Sequence, residues 1–429
     1  MSLLKDLTEL VSADIISNDT ALQITEFYKR KQDTSPNRML LIFGILGALL
    51  VGTGVMFIVA NQWEELPQSI QTVCAFLLLI VPQSLCGYVM LKKPQKIVWR
   101  ESTALILFFA VGASISLVSQ IYHINGEMSS FMLTWMLLTA PLIYLMDSSA
   151  VSLAYLFGIM IYCPAARYNL SYPFEEYLYW LLLLIPMPRY ILLYKKAPDQ
   201  ILTYIHHWMI PFVLTMTLGY LSHSLKMLMY PAYIIMFGIF YMTSNSARFR
   251  KKPLIANGYL VFGFIGTVIL LLIMSFKSTW KDIIASNFHI SHLLIAPEFI
   301  ALLILFVLAS LLFFQRYKDT GMAKWNLTNT VFILFLVIFI VGTQDTSLAV
   351  ILDNLLIFAL GILMLRAGTK QSRLGVINTG MLVIALLVVC RSFDTDLTFV
   401  VKGILFVLVG IGFFAANWLM IKKTTKNEA

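Results

Sequence analysis

Charge is scarce in this sequence. Only 12% of its 429 residues are charged, while 59% are hydrophobic and the mean hydropathy is +0.82. So few charges cannot clothe a water-solvated surface, which excludes an ordinary set of soluble domains. Cysteine is sparse too. Cys74, Cys86, Cys163 and Cys390 lie in or beside apolar runs, without CxxC spacing or a neighbouring histidine, so they read as small core residues rather than redox or metal-binding thiols. The signatures GxxxxGK[ST], HExxH, GxSxG and GxGxxG are all missing, which removes the usual support for nucleotide-driven transport, zinc proteolysis and an elbow serine hydrolase. No cofactor and no metal is implied. The opening residues also lack an apolar h-region with a small-residue cleavage site, so no signal peptide is expected.

Long apolar runs are abundant. A helix that crosses the hydrocarbon core takes roughly 20 mainly apolar residues, because each residue rises about 1.5 Å and every backbone polar group must be satisfied internally. On that criterion the chain is an all-α polytopic integral membrane protein with about 14 transmembrane helices. They fall near 39–60, 68–91, 102–122, 129–146, 149–166, 174–193, 206–223, 227–243, 254–275, 294–314, 329–344, 348–365, 374–391 and 397–421. Two connections, at Asp147 and between His223 and Lys226, are short enough that either pair of spans also reads as one broken helix. The formal net charge of +9 gives no nucleic-acid face, since the basic residues sit in short clusters between apolar runs. Those clusters alternate. Lys29 to Arg38, Lys92 to Arg100, Arg189 to Lys196, Arg248 to Lys252, Arg316 to Lys324, Arg366 to Arg373 and Lys422 to Lys426 fall on one side, against Arg167, Lys226, Lys277, Lys281 and Arg391 on the other. By the positive-inside rule both termini are cytoplasmic.

Residues 1–38 form the largest polar end segment. Leu3, Leu4, Leu7, Leu10 and Val11 make one apolar stripe, Ser17-Asn18-Asp19 a stop and N-cap, and Ala21, Ile24, Phe27 and Tyr28 a second stripe. This predicts a short cytoplasmic helical hairpin, too small to hold its own core, that docks on the membrane, on the transmembrane body of residues 39–429, or on a protein partner. Within the first span Gly44, Ala48 and Gly52 recur every four residues, a stripe suited to close helix packing.

The hairpin, the Gly-rich first span ending Phe57-Ile58-Val59-Ala60-Asn61-Gln62-Trp63-Glu64-Glu65-Leu66-Pro67, and a third span ending Gln120-Ile121-Tyr122-His123 resemble a bacterial predicted-membrane-protein family, domain of unknown function family 2157. The motifs occupy 39–146, and Gln62 splits the usual Asn-Trp doublet. The resemblance implies an integral membrane protein and assigns it no reaction.

Candidate functional residues follow from polar groups placed where lipid disfavours them. Asn61, Trp63, Glu64, Gln120, Tyr122 and His123 end two spans on the expected outer side, where they read either as an interfacial belt or as one wall of a cavity, with His123 as a proton acceptor. Asp353 and Lys402 lie at matching depths, about 8 Å inside their spans at 1.5 Å per residue. They read either as an ion pair locking two helices or as a substrate or proton site. Glu298 follows Pro297 at the start of a span, where an acid suits the helix dipole. Pro186-Met187-Pro188 marks a bend that frees backbone carbonyls. His289 and His292 form a poor metal pair without a carboxylate, and His206 and His207 border the inner face as interfacial residues. Three readings of function compete. One is a transporter or flippase acting on an amphipathic envelope molecule. Another is a scaffold or sensor working through the hairpin. The third is an outer-face lipid-linked sugar transferase, for which Glu64 and Glu65 speak and the lack of an arginine in the 276–293 loop speaks against.

Overall fold

The computed structural model describes residues 10, 11, 13, 15–34, 38–62, 67–168, 175–223, 225–246, 249, 252–285, 294, 296–320, 329–371, 373–392, 398–404, 406–408, 410–412 and 414. Among these residues the structure is helical, with no strand. The helices are α1 (Asn18–Thr34), α2 (Arg38–Gln62), α3 (Gln68–Lys92), α4 (Ile97–Ile121), α5 (Met128–Leu145), α6 (Ser149–Arg167), α7 (Glu175–Leu184), α8 (Pro186–Lys196), α9 (Ile201–Leu218), α10 (Met229–Ser244), α11 (Gly258–Met274), α12 (Lys277–Ala285), α13 (Pro297–Thr320), α14 (Val331–Gly342), α15 (Thr346–Gln371) and α16 (Leu374–Ser392). The chain divides into two compact units, Met1–His206 and His207–Ala429.

Among the described residues, ten helical segments are long and apolar enough to cross a membrane. Four shorter apolar helices, Ile42–Gly54, Gly258–Met274, Val331–Gly342 and Phe399–Gly412, fall where the other expected spans lie. Length sets Gly258–Met274 and Val331–Gly342 apart, whereas Ile42–Gly54 is part of the 25-residue α2. The 12 residues of α14 rise only about 18 Å, against a hydrocarbon core of about 30 Å. Many apolar side chains on the crossing helices point outward, among them Leu77, Val81 and Leu91 of α3, as lipid-facing residues do. Both short connections separate distinct helices. Asp147 turns the chain between α5 and α6 with a left-handed φ of 46°, and two short 3-10 turns, Gly219–Leu221 and Lys226–Leu228, lie between α9 and α10.

In the first unit α4 is the central helix, packed by α2, α3, α5 and α6. The small-residue stripe of α2 lies on it. A Cβ on Gly44 would come 2.9 Å from Ser102 Oγ and one on Gly52 3.1 Å from Phe109 Cβ, while Ala48 between them is buried. On the other flank Trp135 lies against Gly112 and donates its indole N–H to the Phe108 carbonyl at 2.8 Å. The bend at Pro186 splits one expected span into α7 and α8, and the Ile185 carbonyl at the break accepts the Tyr144 hydroxyl. Of the N-terminal segment, α1 is described and begins as expected, with Ser17 Oγ accepting from Thr20 N at 3.2 Å. The first arm of the expected hairpin lies largely outside the described residues.

The second unit has one large apolar core drawn from α10, α11, α13, α14, α15 and α16. The short helix α12 is built into it by Trp280. That indole is fully buried, donates to the Met274 carbonyl at 2.6 Å, and occupies the space where Gly342 lacks a side chain. The expected open 276–293 loop therefore begins with a packed helix. Periodicity missed it because its buried apolar anchors among the described residues are only two, Trp280 and Ile283. Of the four cysteines, Cys86 and Cys163 are core residues, Cys390 is half-buried and Cys74 is exposed on its helix, which corrects the uniform core assignment.

Candidate functional site

The expected outer end of the first unit is a shallow turn. Asn61 lies in the last turn of α2, and Trp63 and Glu64 lie outside the described residues. Gln120 ends α4 exposed. Tyr122 and His123 follow in a turn, both exposed, with His123 at a φ of 51° and its Nδ1 3.4 Å from the Ile121 carbonyl. Gln68 Nε2 donates to that same carbonyl at 3.3 Å, and Thr72 Oγ1 lies 3.5 Å from the Tyr122 hydroxyl. The start of α3 and the end of α4 are thus tied together. Gln120, Tyr122 and His123 are side chains on a surface, and burial does not single them out.

A denser polar cluster, absent from the sequence expectations, lies at the other end of the same helices. Glu101, 1% exposed, begins α4 and reaches the N-terminus of α6. It accepts Ser149 N–H at 3.0 Å, Ala150 N–H at 2.8 Å and the Ser148 hydroxyl. Those two N–H groups have no intrahelical acceptor at a helix start, and the helix dipole there favours a carboxylate. Ser148 Oγ in turn accepts Val151 N–H at 3.2 Å, so one short turn satisfies three successive donors. Beside it Asp147 pairs with two guanidinium groups, Arg100 at 3.0 Å and Arg189. Arg189 is buried and also donates to the Asp147 carbonyl at 2.8 Å and to Ser149 Oγ at 2.9 Å. The result clamps α4, the α5–α6 turn and α8 together. One turn along α6, Ser152 Oγ lies 3.1 Å from His206 Nε2, whose Nδ1 is 2.7 Å from the Leu202 carbonyl. A carbonyl only accepts, so Nδ1 carries a proton and donates to it. His206 and His207 are both fully buried, which corrects their interfacial assignment. His207 holds the Ala256 carbonyl at 2.9 Å within the second unit.

The second unit holds the remaining candidates. Glu298 is fully buried at the start of α13, where one carboxyl oxygen accepts His223 N–H at 2.6 Å and Leu225 N–H at 2.9 Å. It clasps the irregular connection between α9 and α10, while Oε2 has no hydrogen-bond partner. Asp353, in the second turn of α15, is 0% exposed, and neither carboxyl oxygen has a hydrogen-bond partner among the described residues. No ion pair joins it to Lys402 among the described residues. The Lys402 ammonium stands 5.5 Å over the ring of Phe399, one turn back in its own helix. Matched depth fixes the height of two residues in a membrane and leaves their direction around the helix axis open, which is why depth suggested a pair. The charged group whose field reaches Asp353 is Arg391, at the end of α16. Its guanidinium donates to Ser275 Oγ at 3.2 Å and lies 4.9 Å from the ring centre of Phe276. Next along α15, Asn354 donates to the Val350 carbonyl at 2.6 Å and the Ser275 carbonyl at 3.5 Å, leaving its own buried oxygen without a partner. The chain just before α12 and the ends of α15 and α16 thereby gather Ser275, Asp353, Asn354 and Arg391.

Among the described residues no set of three His, Cys, Asp or Glu side chains is arranged to hold a metal ion, and His289 and His292 lie outside those residues. Residues 8–152 match the family described as Predicted membrane protein (DUF2157). The DUF2157 segment takes in Glu101, Asp147, Ser148 and Ser149, whereas Arg189, Glu298, Asp353 and Arg391 lie beyond it. No curated protein and no solved structure matches the chain.

Proposed function

We propose that the chain is a multi-pass protein of the bacterial cytoplasmic membrane, with fourteen spans and both termini in the cytoplasm, that transports or flips an amphipathic envelope molecule. The alternation of basic clusters supports the orientation, and the four shorter apolar helices support the span count. One observation carries the functional part. Asp353 is wholly buried in a membrane helix with neither oxygen hydrogen-bonded. An unsatisfied buried polar group costs about 1–3 kcal/mol, and packing alone is met better by an apolar side chain. Ionisable residues inside membrane helices mark substrate or ion pathways by default. Asp353 with Arg391, Ser275 and Asn354 is the polar site of this reading, and Asn61, Trp63, Glu64, Gln120, Tyr122, His123 and Lys402 are its peripheral candidates.

The test compares envelope lipids and glycans in a deletion strain with strains carrying Asp353→Asn or His123→Ala. Altered envelope composition in the deletion, reproduced by Asp353→Asn, is expected. An unchanged envelope in the deletion strain overturns the proposal. The exposure of Ile15 and Leu22, 67% each, favours a second reading in which residues 1–38 bind a protein partner. That reading expects partner recovery from cross-linked membranes to be lost on deleting residues 1–35.

A further inference from the structure

A carboxyl group buried in a membrane helix without hydrogen bonds cannot stay ionised without a partner, because desolvating the bare anion costs far more than keeping the proton. The elements packed on α15 supply few alternatives. Helices α11 and α14 carry no Asp, Glu, Lys, Arg or His. Of the charged residues on α12, Lys277 and Lys281 are exposed, and the Asp282 side chain lies outside those described. Helix α16 contributes Cys390, which is half-buried, and Arg391. Arg391 is occupied by Ser275 Oγ and the face of Phe276 and makes no hydrogen bond to Asp353.

We propose that Asp353 is a reversible proton-binding site, and that Arg391 exchanges its contacts with Ser275 and Phe276 for the Asp353 carboxylate when the proton leaves. In that step the O–H bond of the acid breaks, the electron pair stays on the carboxyl oxygen, and the proton passes to water. Arg391 then supplies the hydrogen bonds that the anion requires. Asn354 Nδ2 already reaches the Ser275 carbonyl, so the chain segment that Arg391 releases stays attached to α15. The inference deepens the transport reading by making the proton a second ligand of the same site.

Infrared difference spectroscopy of the full chain in lipid bilayers, between acidic and alkaline buffer, tests this directly. A carboxylic-acid C=O band is expected in acid and a carboxylate band in alkali. Both shift when aspartate is labelled with carbon-13, and both lose one component in Asp353→Asn that Glu298→Gln keeps, exposed carboxyl groups such as Asp199 and Asp345 supplying the remainder. The guanidinium bands of Arg391 are expected to change in the same titration and to be lost in Arg391→Lys. A spectrum from Asp353→Asn identical to that of the parent chain overturns the proton site. A titrating Asp353 band without any guanidinium change overturns the exchange. The isotope shift, read on the parent chain, assigns the bands to aspartate, and retention of the Glu298→Gln spectrum with loss of one component in Asp353→Asn, at unchanged helix content, assigns that component to this residue. Because the spectrum involves no transport, a titrating band combined with an unchanged envelope in the deletion strain defeats the transport reading alone.

Discussion

Removing the Glu101 carboxyl is the most direct test of the clamp in the first unit. Glu101→Ala strips an acceptor from the buried N–H groups of Ser149 and Ala150 and from the Ser148 hydroxyl. Ser148 keeps its bond to Val151 N–H and can turn its own proton elsewhere, so the main loss is two backbone donors at the start of α6. A buried donor left without an acceptor costs about 1–3 kcal/mol, which puts the substitution at about 2–6 kcal/mol. Glu101→Gln keeps one acceptor oxygen and turns an NH2 group toward donors, so about half that loss is expected. The assay is reversible unfolding in mixed detergent micelles, followed by helix content, with both variants compared with the parent chain. A Glu101→Ala protein within about 0.5 kcal/mol of the parent would refute the reasoning, since surface substitutions that break nothing fall in that range.

Arg189→Lys replaces a planar fork that meets Asp147 and Ser149 at once by a single ammonium, and about 1–3 kcal/mol of stability is expected to go in the same assay. Gly342→Ala drives a Cβ into the Trp280 ring, so overpacking of about 1–3 kcal/mol and new protease cleavage in α12 are expected. Asp353→Leu removes two buried oxygens that lack partners and is expected to stabilise the protein by about 1–3 kcal/mol, and a destabilised variant would reveal a partner. Lys402→Gln is expected to stay within about 0.5 kcal/mol, because the ammonium stands over Phe399 and not on Asp353; a larger loss would restore the ion pair.

Some features could be read directly because they are local along a helix. Gly44, Ala48 and Gly52 announce a close approach by size and spacing alone, and α4 makes that approach. Ser17 announces a cap by residue type. Glu101 could not be read this way. Its donors lie 47 to 49 residues ahead, and they converge only because Asp147 adopts a left-handed turn usually left to glycine. The charge rule that orients the spans counts Arg100 and passes over its neighbour. The signal to look for is an acidic residue embedded in a basic flank, as in Trp99-Arg100-Glu101, together with a Ser-Ser helix start elsewhere in the chain. Asp353 was legible as a buried charge, but its surroundings were not. Sequence depth selected Lys402, whereas the hairpin of α15 and α16 brings up Arg391, which had been counted only as a loop cation.

Glu101 and Asp353 are both fully buried carboxyl groups near the ends of long apolar helices, and the fold treats them oppositely. Around Glu101 it supplies a helix N-terminus and a serine, so that three donors are met and the carboxylate ties α4 to the start of α6. Around Asp353 the described residues supply no hydrogen bond, although Arg391, Asn354 and Ser275 gather beside it and are capable of hydrogen bonding. Donors are therefore not lacking in that region; Arg391 donates to the Ser275 hydroxyl, Asn354 to the Ser275 and Val350 carbonyls, and Ser275 to the Leu272 carbonyl. A carboxyl group kept beside engaged donors has a second arrangement within reach, one in which those donors turn to it, whereas a carboxyl group already met by three donors has none. That difference suits Glu101 to tying α4 to the start of α6, and it is what the proton site proposed at Asp353 rests on.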